Sequence, residues 1–253
     1  MTGELDQRTW DTRRRSFGSV ARDYALLRPD YPADVVAFLL GGQPRRVLDL
    51  GAGTGKLTEQ LLAAGHEVLA VDPSADMLAE LTARHPQVTA AVGGAESLPL
   101  PDTSVDAVVA GQAAHWFDPA ATATELRRVL RPGGVVGFVW NTRDLRVPWL
   151  RALEGDIEDE ARGHEADQGV VDAFAAALPA DVAVHESAVA QQLSPDEVVA
   201  SFATRSYVAV MADDERHRFL AGLRRTVDTH PGSADRDVLD LPYLTHAYRL
   251  TPR

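Results

Sequence analysis

The 253-residue sequence predicts a doubly wound α/β fold, a parallel sheet covered by helices on both faces. Three observations predict it. Strand-like and helix-like patterns alternate as far as Trp140. The strand-like runs are apolar almost throughout, as suits strands buried on both faces. Glycines or acidic residues end the runs, and helix-start residues recur after them.

The elements follow in chain order. Arg46-Val47-Leu48-Asp49-Leu50 is a first strand that stops at glycines. Leu57, Leu61 and Leu62 recur at helical spacing, and Gly65 stops that helix. Glu67 to Asp72 is a second strand. Ser74 caps a helix with Met77, Leu78 and Leu81 on one face. Val88 to Gly93 and Val105 to Ala110 are the third and fourth strands. Asp118-Pro119 starts a helix with an N-cap acid and proline at the first helical position. Leu126, Val129 and Leu130 give it an apolar face, and Arg131-Pro132-Gly133-Gly134 ends it. Val135 to Trp140 is the fifth strand.

The second half has a different rhythm. Helices are expected over Trp149 to Ala161, Val170 to Leu178, Val198 to Met211 and Asp213 to Asp228. Ser194-Pro195-Asp196-Glu197 is a helix-start sequence. Strands are expected over Asp181 to Gln192 and Leu244 to Leu250. A helical lid over the carboxyl edge of the sheet accounts for this half. The chain is read as one domain: an N-terminal lid segment over residues 1–40, a core over 41–144, and the lid elaboration with the last two strands over 145–253.

Composition excludes several functions. Apolar residues are 45% and charged residues 25%, an ordinary globular balance that rules out disorder as the main state. No apolar run reaches the roughly 18 residues of a membrane helix, and Met1 to Arg15 lacks a signal-peptide core. A cytoplasmic protein without membrane partners is expected. The formal net charge of −12 repels nucleic acid and anionic lipid at long range. With no cysteine, thiolate chemistry and cysteine-held metals are impossible. The eight histidines show no close metal spacing, so no metal is expected.

The strongest motif is Val47-Leu48-Asp49-Leu50-Gly51-Ala52-Gly53-Thr54-Gly55. Glycines between a strand and a helix permit a tight turn and let a ligand touch the backbone. Asp72 ends the next strand, 21 residues after Gly51, where a carboxylate can accept from both ribose hydroxyls of an adenosine. A nicotinamide-binding loop shares much of this. It is disfavoured by Lys56, where a dinucleotide fingerprint has Gly or Ala, and by Asp49 two residues before the first glycine. That carboxylate suits a ligand with a positive amino group, or else it caps the loop's own backbone. No phosphate-gripping P-loop is present.

These residues resemble a class I S-adenosylmethionine-dependent methyltransferase. Val71-Asp72-Pro73-Ser74 with Met77 is similar to the family's ribose-and-adenine segment. Ala95-Glu96-Ser97-Leu98-Pro99-Leu100 is similar to its adenine-side turn. Asp106 to Gly111 and Leu130-Arg131-Pro132-Gly133-Gly134 match further segments in order. The resemblance spans residues 45–141. It extends to Phe17-Gly18 through Tyr24, to Arg28-Pro29, Tyr31-Pro32 and Gln112 to Phe117, and to Leu241-Pro242-Tyr243. These segments resemble the small-molecule branch around the trans-aconitate and menaquinone-pathway enzymes. The sequence departs at Gly94, where many relatives carry Asp.

The resemblance implies a Rossmann-like sheet of seven strands, the last antiparallel. It implies S-adenosylmethionine as cofactor, held by Asp49, Gly51, Ala52, Gly53, Thr54, Asp72, Pro73, Met77, Ala95, Glu96 and Gln112. Met77 is read equally as core. Glu96 either replaces the missing acid at Gly94 or sits idle in solvent. Tyr24, Arg28, Tyr31 and Trp116 are expected to close a small-molecule substrate pocket, the alternative for the first three being N-terminal helix packing. His115 follows the fourth strand and is the candidate general base. It could equally orient substrate or satisfy a buried backbone group. Three rivals stay open: a nicotinamide-dependent oxidoreductase, a scaffold or sensor that only binds the cofactor, and a non-methylating reaction such as cyclisation.

Overall fold

The computed structural model describes residues 27–155, 164–209 and 211–253. Tyr24 and the Phe17-Gly18 segment lie outside the described residues. Seven strands form one sheet: β1 (Arg46–Leu50), β2 (Glu67–Asp72), β3 (Thr89–Val92), β4 (Val105–Gly111), β5 (Leu130–Arg143), β6 (Ala180–Leu193) and β7 (Leu239–Pro252). Their order is β3-β2-β1-β4-β5-β7-β6. Pairing is parallel from β3 through β5, and β7 is antiparallel to both of its neighbours. The implied seventh antiparallel strand is present. Strand order reverses between β1 and β4, so the chain leaves these two carboxyl ends in opposite directions and opens a crevice there.

The strand pleat sorts the core into two layers. Leu48, Leu50, Val108, Phe138 and Tyr248 face α4 (Pro119–Val129) and α6 (His164–Ala177), where Leu126 and Phe174 meet them. Val47, Val109 and Val139 face α1 (Ala33–Leu40), α2 (Lys56–Ala63) and α3 (Ala75–Arg84), against Leu39, Leu61 and Leu81. Asp49 is two residues from Val47 and therefore points to the α2 side, toward Thr58. The helix starts use the side chains that the sequence marks. Ser74 accepts from the Met77 N–H at 3.3 Å, and Asp118 from the Ala121 N–H at 2.7 Å. Ser194 and Glu197 form a reciprocal capping box.

A third core lies beyond the carboxyl edge. Here α5 (Pro148–Glu154), α7 (Pro195–Ala203) and α9 (Asp213–Thr229) bring Leu150, Phe202 and Val227 onto Leu193, Leu239 and Tyr243 at the ends of β6 and β7. This is the expected lid. The helix α6 does not join it and covers the sheet face instead.

Several boundaries differ from expectation. The described part of the helix expected from Trp149 stops at Glu154, where Gly155 takes a positive φ of 46°. The helix expected over Val198 to Met211 is broken: α7 ends at Ala203, the Thr204 hydroxyl turns back to the Ser201 carbonyl, and α8 (Ser206–Ala209) is a separate turn. The β7 strand is twice its expected length, pairing with β6 from Leu239 to Pro252. Pro242 hides this in the sequence, because proline cannot donate to a ladder and reads as a strand breaker. The turn Arg131-Pro132-Gly133-Gly134 is a bulge within β5: Val105 pairs with Leu130 and Ala107 with Val135.

Candidate active site at the carboxyl edge

The crevice between β1 and β4 is an open cleft lined by the glycine loop, the end of β2 and the turns after β3 and β4. Of the residues expected to hold a cofactor, Gly51, Gly53, Asp72, Pro73, Met77, Ala95 and Gln112 line it, and so does Trp116.

The glycine loop forms the floor. The Gly51 and Ala52 N–H groups both donate to the Val71 carbonyl, at 2.8 and 3.2 Å, which ties the loop to β2. Gly51 has φ 71°, and a Cβ there would stand 2.6 Å from the Ala113 Cβ. Gly53 has φ 54°, and nothing lies within 4 Å of the place a Cβ would take. Its bare face is the part of the loop where a ligand can press on the backbone. The loop's first two N–H groups thus hold the loop itself.

Asp72 closes the loop from β2. Its Oδ2 accepts from the Gly53 N–H at 2.9 Å and its Oδ1 from the Ser74 N–H at 2.8 Å. A carboxylate oxygen can accept more than one hydrogen bond. Met77, only 3% exposed, and Ala95 supply apolar wall. Met77 is thus both core and lining, which joins its two readings.

Asp49 lies directly beneath. It is only 1% exposed, and its Oδ2 accepts from the Thr58 hydroxyl at 2.6 Å. Its Oδ1 is buried with no hydrogen-bond partner. Burial pushes this carboxyl up to about 7, with the Asp72 charge adding to the rise and Thr58 opposing it. A buried carboxylate with a vacant oxygen is a site that a nearby cation would complete.

The structure does not bring every expected residue to the cleft. Glu96 points away, and its Oε1 accepts from the Asp118 N–H at 3.2 Å at the start of α4. Thr54 is buried, with its carbonyl accepting from Arg84. Ala52 is buried and, like Thr54, is not a lining residue. His115 sits on a short turn on the α4 side of the sheet. Its Nδ1 accepts from the Trp140 indole at 3.4 Å, and its Nε2 is buried. His115 is not among the residues lining the cleft, although its ring packs against that of Trp116, which is, with centroids 4.9 Å apart.

On the substrate side, Tyr31 is 7% exposed and lies against the end of β4, where a Cβ on Gly111 would stand 2.6 Å from its hydroxyl. Arg28 reaches the lid instead, donating to the Thr204 carbonyl at 3.1 Å. The N-terminal segment is pinned across the strand ends by Lys56 Nζ to Asp30 at 2.7 Å and by Asn141 to the Asp30 carbonyl at 3.1 Å. The sequence reading missed Asp30 and Asn141. An isolated Asp or Asn carries no local signal, and only the fold brings these two together.

A sequence model described as a methyltransferase domain matches residues 48–138, the stretch that builds the cleft. An uncharacterized methyltransferase of Mycobacterium tuberculosis is 44% identical over 237 residues, covering 93% of this chain and 95% of the relative. The chain belongs to the methyltransferase family.

A second uncharacterized methyltransferase, from Schizosaccharomyces pombe, is 31% identical over 92% of this chain and 96% of its own. A solved structure from Anaeromyxobacter dehalogenans, provisionally assigned as a type II methyltransferase, is 28% identical with a TM-score of 0.62, covering 89% of this chain and 97% of that one. This methyltransferase uses S-adenosylmethionine, and the cleft fits it. Gly53, Asp72 and Met77 line the cleft, whereas Asp49, buried with its Oδ1 unpartnered, is not a lining residue. The oxidoreductase rival is set aside by the family.

Proposed function

We propose that this methyltransferase methylates an O, N or C nucleophile of a small molecule held between the cleft and the lid. One observation carries the reading. At the cleft's outer wall, which Gly111, Gln112 and Trp116 line, Gly111 backs onto the buried Tyr31 ring. The net charge of −12 argues in the same direction against nucleic acid. Among the described residues no helix is long and apolar enough to cross a membrane.

The cofactor supplies an electrophilic methyl group on a sulfonium. The chain's work is placement. Asp72 and the Gly51–Gly55 loop fix the nucleoside end, Asp49 lies under the loop as a buried negative charge, and Tyr31 with Trp116 bounds the acceptor side. Holding two reactants in line is worth on the order of 7–11 kcal/mol at best. With His115 turned into the α4 layer, Tyr31 is the hydroxyl we place nearest the acceptor.

The test is accumulation of S-adenosylhomocysteine when pools of small phenols, alcohols, amines and carboxylic acids are added to the protein. Turnover with a member of these pools supports the reading. Turnover only with a nucleic acid or protein substrate would overturn it.

A further inference from the structure

A charge cluster outside the cleft has no part in cofactor binding. At the end of β5, Arg143 has a side chain only 6% exposed. Its Nη1 donates to Glu154 at 2.9 Å and its Nη2 to the Ser201 hydroxyl at 2.9 Å. Its Nε is buried with no acceptor. Arg205 donates twice to the same Glu154, at 2.8 and 2.6 Å, and once to the Tyr207 hydroxyl at 3.1 Å. The Phe202 ring packs against both guanidiniums, at 4.1 and 4.4 Å. Among the described residues, two guanidiniums thus share one carboxylate in a covered place, a balance of +1 for these three groups. Arg28 adds a third guanidinium at the Thr204 carbonyl, next to Arg205 in the chain.

Such an arrangement is not explained by stability. Taking an unbalanced charge out of water is costly, and an apolar cluster of the same volume would serve the lid better. The carboxyl end of α7 favours nearby cations, which offsets part of that cost but gives Nε no acceptor. Glu154 neutralises one guanidinium only. Burial alone would raise its carboxyl, yet Arg205 and then Arg143 outweigh burial and hold it at about 2, so it stays ionised and is fully engaged.

The cluster also adjoins the reaction site. Asn141 lies two residues before Arg143 on β5, on the same face of the strand. The Asn141 carbonyl accepts from Gln112 Nε2 at 2.6 Å, and Gln112 lines the cleft. Two residues of strand advance about 7 Å. A small acceptor can therefore have one end at the cleft wall and the other at Arg143. Phe202 and Tyr243 cover the guanidinium, so an anion reaches it as the lid is raised.

We propose that Arg143, backed by Arg205, is the seat for an anionic group, a carboxylate or a phosphate, on the acceptor substrate. This deepens the methyl-transfer reading and rests on it. Arg143 fixes the far end of the acceptor, and the excess positive charge under the lid selects for anions within a chain that is acidic overall.

The test is a thermal-shift and calorimetric titration of the full chain, saturated with S-adenosylhomocysteine, using benzoate and inorganic phosphate as probes and chloride as the ionic-strength control. Saturable binding of at least one probe is expected, weakened tenfold or more in Arg143→Gln. It should be unchanged in Arg131→Gln, a surface arginine paired to Asp106. Benzoate alone would mark a carboxylate acceptor, and phosphate alone a phosphorylated one. If Arg143→Gln does not fold, Arg143→Lys is read instead. It keeps the charge but loses Nε and the fork, and about tenfold weaker binding is expected. No saturable binding of either probe, or equal affinity in the Arg143 variant that folds, would overturn the proposal. Failure of S-adenosylhomocysteine itself to bind would instead strike the cofactor reading, so the two failures are distinguishable.

Discussion

The cofactor end of the site and the lid end are built from different kinds of contact. At the cofactor end the partners are close in sequence: Asp72 bonds Ser74 two residues away and Gly53 at a separation of 19, and Asp49 bonds Thr58 at 9. At the lid end Arg143 meets Ser201 across 58 residues, Arg205 meets Glu154 across 51, and Arg28 meets Thr204 across 176. The first end is set by backbone geometry, where glycine φ values and strand ends decide the shape. The second is set by buried charge, where the fold decides which guanidinium finds which carboxylate. Cofactor binding and acceptor binding should therefore respond to different substitutions.

The largest expected effect sharpens that contrast. Glu154→Gln leaves two covered guanidiniums without their carboxylate, and breaking a buried pair costs about 3–5 kcal/mol. Thermal unfolding should show the melting temperature falling by roughly 10 °C. Affinity for S-adenosylhomocysteine in the folded fraction should stay within about twofold. The sign of the acid response follows from the depressed Glu154 carboxyl. Its stabilisation is present above pH 4.5 and is lost as pH falls toward about 2.

Asp72→Ala should do the reverse. It removes the acceptor for two backbone N–H groups and for the ligand hydroxyls, and calorimetry should read about a 100-fold loss of S-adenosylhomocysteine affinity. The fold of the lid should be untouched. Equal losses from the Asp72 and Glu154 variants in both measurements would break the comparison.

Asp49 predicts a smaller, pH-dependent effect. Its carboxyl stands at about 7 in the folded chain against 3.8 as a free group, so the folded state binds the extra proton in that window. Stability of the ligand-free protein should fall as pH rises from about 4 to about 7. Asp49→Asn should flatten that fall and leave the ligand-free variant more stable than wild type above pH 7. A cation beside Asp49 favours its ionised form, so S-adenosylmethionine should bind several-fold more tightly at pH 7.5 than at pH 6. Titrations at the two pH values, with Asp49→Asn lacking the difference, check this. His115→Asn is the smallest change: with the imidazole bonded to Trp140 on the α4 side, cofactor affinity should move less than about twofold.

Much of the cofactor end was legible in the sequence. Gly51, Gly53, Asp72, Pro73, Ala95 and Gln112 line the cleft close after the ends of β1 to β4, edges that a parallel sheet places together, while Met77 reaches it from the first turn of α3 and Trp116 from the short turn after β4. Glu96 was misplaced for a physical reason: the same short turn offers its carboxylate the α4 start, and the Asp118 N–H takes it. For His115 the position after β4 does not say which layer takes the ring, and the structure bonds its Nδ1 to the Trp140 indole. Arg143, Glu154 and Arg205 left no local trace. They look like surface charges on lid helices and a strand end until α5, α7 and β5 converge. The long β6–β7 pairing was hidden in the same way by Pro242.

The most direct measurement is one calorimetric titration of S-adenosylhomocysteine into wild type, Asp72→Ala and Arg143→Gln side by side. The two-ended site predicts loss of about 100-fold in the Asp72 variant and retention within about threefold in the Arg143 variant. Retention in the Asp72 variant, or an equal loss in both, would contradict it.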